Sequence, residues 1–512
     1  MAPGPLGNFL LDAAADRCPI IAGNLRTFGD RPVADLLSSL TAERPGPQSP
    51  EDFCRVAQAS AAEYYGPHVA AQVADDLRSD PLISTANHFG LDTLAVSVQD
   101  TQLLALRRRA DGSLPRTVVA LACSTISMDN ITFPLGALLY DLGEGGVPAL
   151  PQRLAVFPSR MRSQTVSSVV PFDERMIGQA HTRLRDLRSQ NRITAFGEHA
   201  ARRLLDEDLT APEVLGLPTY GQQACQVNGR LWQRALGASA PRLVQLPLEP
   251  VCSALLSADM EDVTSLAFRL LFDADIRGAA LRALDGTPGC WHLADLDQKI
   301  NGAGRSAPGS GTVLFWGLTD GRRFPLAIDD ADRAVPCLAG IDGRGQRREW
   351  QLTPPAIGGG LRDRELLPSL FTCFTVLALA RGIGCVGGPQ QAHYLPSMQR
   401  GVVRAVDGRD PATARLIASV RTELCLADMH FLMRVLPGGR GIPAGPVETA
   451  AVGGLRPDAV DAISSVIVRE AYLAAFPEVF PALAPDVDLP GHWIETLATE
   501  NATGCPSVIR IP

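Results

Sequence analysis

The stretch Thr117-Val-Val-Ala-Leu-Ala-Cys constrains this chain more than any other. It is apolar almost throughout and reads as a strand buried on both faces, the kind found inside parallel sheets. Shorter apolar runs bounded by polar turns accompany it. These are Leu82-Ile-Ser-Thr, Leu94-Ala-Val-Ser-Val, Leu103-Leu-Ala-Leu, Arg153-Leu-Ala-Val-Phe and Arg242-Leu-Val-Gln-Leu, and each reads as a further buried strand. Helical patterns alternate with them at Glu51–Leu77, Asp173–Gln190, Thr194–Leu209 and Asp259–Leu284. Strands alternating with helices predict an α/β fold, with a mostly parallel, Rossmann-like sheet core and a helical C-terminal part. The expected organisation is a helical N-terminal segment over 1–80, an α/β core with inserted helices over 81–400, and a helical C-terminal region over 401–512. Helices are expected there at Pro411–Val435 and Pro457–Phe476.

The middle of the chain is turn-rich. Thr312-Val-Leu-Phe-Trp and Phe324-Pro-Leu-Ala-Ile flank Thr319-Asp-Gly-Arg-Arg, a hairpin signature with solvated arginines at its tip. The longest apolar run, Leu366 to Ala380, is too short to span a bilayer and reads as a buried helix. With 46% hydrophobic and 20% charged residues, the chain can bury large cores. Its formal net charge of −8 argues against a nucleic-acid partner. The 11 cysteines include no Cys-x-x-Cys pair, which fits a reducing cytoplasm and suggests no metal site. No secretory signal pattern is visible at the start. The expected partner is a small-molecule substrate, without nucleic acid or membrane, and homo-oligomerisation is left open.

Candidate chemistry lies in loops that follow apolar strands, where open α/β sheets bind ligands. Ser84-Thr-Ala-Asn-His-Phe-Gly-Leu-Asp gathers Asn87, His88 and Asp92 after one strand. His88 suits a general base, with Asp92 or Asp129 as its charge-balancing partner. Ser124, Asp129 and Asn130 follow the Thr117 strand and would face His88 across a crevice if the two strands pair in parallel. Gly387-Gly-Pro-Gln-Gln-Ala-His-Tyr offers Gln390, Gln391, His393 and Tyr394 as substrate-positioning groups. A separate glycine-rich loop, with Gly302, Gly304 and Arg305 next to Lys299, the one lysine of the chain, is a candidate anion site. The sequence holds neither a Walker motif nor a Gly-x-Ser-x-Gly elbow, nor His-Glu-x-x-His.

Three of these segments resemble parts of the cysteine-adding ligase family of bacillithiol biosynthesis. Thr85-Ala-Asn-His-Phe-Gly-Leu is similar to its Thr-Gly-Gln-Gln-type loop. Ser124 to Asn130 sits where its acid- and His-rich loop would be. Gly387-Gly-Pro-Gln-Gln-Ala-His-Tyr is similar to its Gly-Pro-Gly-Glu-type turn. Asn87-His88 replaces the paired Gln of that family, and Gln391 replaces its acid. The resemblance implies a shared fold and pocket location, with a nucleotide as a candidate cofactor; the residues by themselves name no cofactor. The expected function is a biosynthetic, ligase- or transferase-like enzyme joining an amine or thiol to a small acid or carbonyl compound. The alternatives are a non-catalytic small-molecule-binding protein of the same fold and an amide hydrolase.

Overall fold

The computed structural model describes residues 4–41, 45–143, 151–300, 311–329, 334–426, 428–436 and 439–512. Its centre is a four-stranded, all-parallel sheet made of β1 (Leu82–Ser84), β2 (Thr117–Ala122), β3 (Arg242–Pro247) and β4 (Gly384–Val386). The spatial order is β4-β1-β2-β3. β2 and β3 pair from Thr117↔Arg242 to Ala122↔Pro247, Ser84 meets Ala120, and Leu82 meets Gly384. All four strands therefore point the same way, and the loops that follow them emerge on one edge.

Alternation along β2 explains why the sheet is covered on both faces. Val119 and Leu121 enter one core with helix α1 (Glu51–Ser79), while Val118 enters another with the C-terminal helices. The run at 94–105 is a departure from expectation. It forms one helix, α2 (Ala95–Ala105), and not two strands. Nearly every residue of α2 is buried, including Gln99, Asp100, Thr101 and Gln102, so no polar stripe marks its helical period. Arg153-Leu-Ala-Val-Phe does contribute a strand, Gln152–Ala155, but in a separate antiparallel pair with Gly136–Leu139.

Helix α3 (Tyr220–Leu236) packs on β3. Helix α4 (Leu248–Asp259) begins at the residue after β3. The hairpin forms between Phe315–Thr319 and Arg322–Pro325, with Asp320 and Gly321 both at positive φ, as its turn type requires. The 366–380 run opens as a strand, Leu366–Pro368, before turning helical. Helix α5 (Pro389–Asp407) starts just beyond β4. The C-terminal part is largely helical, yet the expected helix Pro411–Val435 stops at Ser419, and Leu432–Leu436 is a strand between Arg440–Pro443 and Ile509–Ile511. Among the described residues no helix is long and apolar enough to cross a membrane.

Two buried polar clusters lock these layers. Arg381, 1% exposed, donates to Asp52 at 2.6 Å, to Asp259 at 2.7 Å and to the Val376 carbonyl at 2.8 Å. It thereby ties α1 to the end of α4. Removing one partner of a buried ionic group strands the others, so Arg381→Met should cost about 3–5 kcal/mol in urea unfolding.

The second cluster lies between α2 and the C-terminal helix Val468–Leu483, where Asp100, Asp428 and Glu478 converge with Tyr140 and His430. Burial pushes Asp428 up to about 7, as it does Glu448 beside Tyr140. Carboxyls raised above their unfolded values bind more protons in the folded state, so their stabilising contribution is lost as pH rises toward 7. The melting temperature should fall between pH 5 and pH 8, and Asp428→Asn should shrink that fall. Asn also suits the left-handed backbone at this position, where φ is 59°.

Candidate functional site

The loops after β1 and β2 and the starts of α4 and α5 meet on one edge of the sheet, as the parallel pairing dictates. Their side chains divide into an inward set and an accessible set.

The inward set comes mainly from the loop after β1. The Asn87 side-chain oxygen accepts from Ser84 and Thr101, both at 2.9 Å, while its nitrogen donates to Asp92 at 3.0 Å. Ser97 donates to the other Asp92 oxygen at 2.8 Å. Asn228 continues the chain, accepting from the Asp92 amide and donating to the Gly90 carbonyl and to Gln245. Burial pushes Asp92 up to about 6. The cavity beside these residues is about 20 Å³, the size of one water and far too small for a substrate. Asn87 and Asp92 thus fix the loop. Gly90 makes this turn at φ 111°, closely approached by Pro134 and the Tyr220 hydroxyl.

Glu249, absent from the sequence reading, holds the loop after β2. It is 2% exposed and sits in the first turn of α4. One of its oxygens accepts from the Ser124 amide and hydroxyl, both at 2.7 Å. The other accepts from the Thr125 hydroxyl at 2.8 Å, the Thr125 amide at 3.2 Å and the Cys123 thiol at 3.0 Å. Burial and the neighbouring carboxylate push the Cys123 thiol up, so it stays protonated. A signal for Glu249 does exist in the sequence, since it lies just past the apolar strand Arg242–Pro247, as His88 and Ser124 lie past theirs.

His88 belongs to the accessible set. A parallel bridge joins it to Cys123, and its Nδ1 lies 3.3 Å from the Thr132 hydroxyl. Desolvation lowers its pKa below 6.5, against the opposing pull of the Asn130 side chain, so the ring is neutral at pH 7. Arg323 leaves the hairpin, lies 4.4 Å over the Trp316 ring and reaches the Thr125 hydroxyl at 3.4 Å. Both tip arginines are exposed, as expected, and Arg323 in addition touches the Ser124-Thr125 turn. Asp129 is instead engaged by Arg162 and Ser127, and neither Asp129 nor Asp92 bonds the His88 ring.

At the third loop, Gln391 is buried and latches β4 to the first loop, accepting from Thr85 at 2.8 Å and donating to the Cys385 carbonyl at 2.9 Å. Tyr394 is half-buried against Phe374, while Gln390 and His393 are exposed on α5. Gly302, Gly304 and Arg305 lie outside the described residues. Lys299 falls in the last turn of the helix Leu293–Ile300, and its side chain is likewise outside the description.

Beside the Ser124 loop opens a cleft of about 500 Å³, within the range of small-molecule sites. Ser124, Phe89, Tyr64 and Tyr220 line it, together with Arg362 and Arg364. His88, Asn130 and Arg323 are not among its lining residues; the Ser124-Thr125 turn and Phe89 connect the two groups. Among the described residues no cluster of three His, Cys, Asp or Glu side chains is placed to hold a metal. Comparison with known protein families, curated proteins and solved structures returns no match for the chain.

Because five donors converge on one buried carboxylate, Glu249→Gln brings an amide donor against the Ser124 or Thr125 backbone amide, which can only donate. It should cost about 2–3 kcal/mol in urea unfolding.

Proposed function

We propose that this chain is a cytoplasmic small-molecule enzyme with a Rossmann-like core, joining an amine or thiol to a small acid or carbonyl compound. One observation carries the reading: loops after parallel strands bring a neutral imidazole and oriented hydroxyls to the sheet edge, where the hairpin adds the Arg323 cation, beside a substrate-sized cleft. In this reading His88 takes the proton as the amine nitrogen or thiol sulfur attacks the carbonyl carbon. The carbonyl electron pair moves to its oxygen, near the Arg323 guanidinium. A carboxylic acid substrate must arrive activated, carrying its own leaving group. Asn130 and Thr132 orient the ring in place of a carboxylate, which makes His88 a weaker base than one paired with Asp.

Identification of a copurified small molecule by mass spectrometry supplies the substrate class. With it, His88→Ala should lower turnover by about 10²–10⁴-fold while leaving the melting temperature nearly unchanged. The acid limb of kcat/KM should fall below pH 6.5, because the working form is the neutral ring and its pKa is lowered. Unaltered turnover in His88→Ala would refute the assignment.

A second reading, a non-catalytic binding protein, is favoured by a separate observation: the residues lining the cleft include no histidine and one carboxylate, Glu63. It predicts that wild-type protein retains the copurified compound and converts none of it.

A further inference from the structure

Two arginines stand among the residues lining the cleft. Arg362 and Arg364 both line it and are exposed, and among the described residues neither makes an ion pair or a side-chain hydrogen bond. One carboxylate, Glu63, stands against them in the lining. The remaining walls are largely apolar, from Phe89, Tyr220, Val166, Val169, Leu361 and Leu367.

The backbone adds an independent observation. The helix Pro354–Arg362 ends in a left-handed turn, with the Glu365 amide donating to the Gly360 carbonyl at 2.9 Å and the Arg364 amide to Leu361 at 3.2 Å. The residue that takes positive φ in this motif is normally glycine. Here it is Arg364, at φ 56°. A long β-carbon-bearing side chain is thus kept where the fold alone favours none, and it lines the cleft.

We propose that the cleft binds an anionic ligand with an apolar body, its carboxylate or phosphate head held by Arg362 and Arg364. Guanidinium groups suit both heads, because each offers paired oxygens to the planar fork. The inference rests on the cleft being the small-molecule site of the proposed function, and not on the chemistry assigned to His88.

The test uses two fluorescent probes with similar aromatic bodies: anilinonaphthalenesulfonate, an anion, and phenylnaphthylamine, which is neutral. Arg364→Gly and Arg362→Ala should each weaken the anionic probe at least tenfold and leave the neutral probe within twofold. Arg364→Gly should not lower the melting temperature, because glycine relieves the positive φ. Val170→Trp, which narrows the cleft, should weaken both probes. Octanoate and octyl phosphate should displace the anionic probe, and the tighter competitor identifies the head group. Unchanged anion affinity in both arginine variants overturns the proposal, as does an equal loss of both probes or failure of both competitors. If neither probe binds wild-type protein, or neither responds to Val170→Trp, the cleft itself is the wrong site and the proposed function loses its pocket. An unchanged His88→Ala turnover would remove the catalytic reading while leaving these binding results intact.

Discussion

The Glu249 carboxylate is the constraint on which the sheet edge depends. From the first turn of α4 it grips the start of the loop after β2, while Ile126, Met128, Phe133 and Leu135 bury the remainder of that loop. Five donors from three consecutive residues close on that one group. The arrangement has chemical consequences. A carboxylate so fully engaged is not a free base. The Ser124 and Thr125 hydroxyls donate their one hydrogen bond each to it, so they face other partners as acceptors. Arg323 meets Thr125 on those terms. Cys123 is held as a thiol, which removes the most obvious nucleophile of the region.

The same economy separates two roles within the loop after β1. Asn87 and Asp92 turn inward and satisfy one another, Ser84, Ser97 and Thr101. His88, between them in sequence, lies against the next loop. Residue types that look equally catalytic in a sequence are here divided by which side of the backbone they leave. An isolated Asp92 carboxylate would be costly to bury, and its partners lessen that cost without giving it access to a substrate.

Much of the fold was legible because β2 is apolar over nearly its whole length, β1 and β3 carry short apolar runs, and polar residues follow each. That pattern marked the loops carrying His88 and Ser124 as candidates for one edge, on condition that their strands pair in parallel, and the pairing supplies that condition. It did not extend to α2, where Gln99, Asp100 and Thr101 bond to other segments and, with Gln102 also buried, erase the amphipathic period. The pairing of His88 was not legible either, since Thr132 lies 44 residues away and no local spacing connects them. Glu249 could have been found by applying the strand-then-polar rule to β3. Arg362 and Arg364 could not, because an exposed arginine after a helix looks like any other until the cleft beside it is seen.

The cleft also changes what the overall charge means. A net charge of −8 argues against long polyanions, which sample the summed field of the whole surface. It does not exclude a small anion, which responds to the groups within roughly one Debye length, about 8–10 Å in physiological salt. Asp363 and Glu365 alternate with Arg362 and Arg364 along the chain, but the cleft lining itself holds the two unpaired guanidiniums and one carboxylate, Glu63. A negative protein with a locally positive, apolar-walled cleft disfavours nucleic acid at its surface and still accepts a small amphipathic acid.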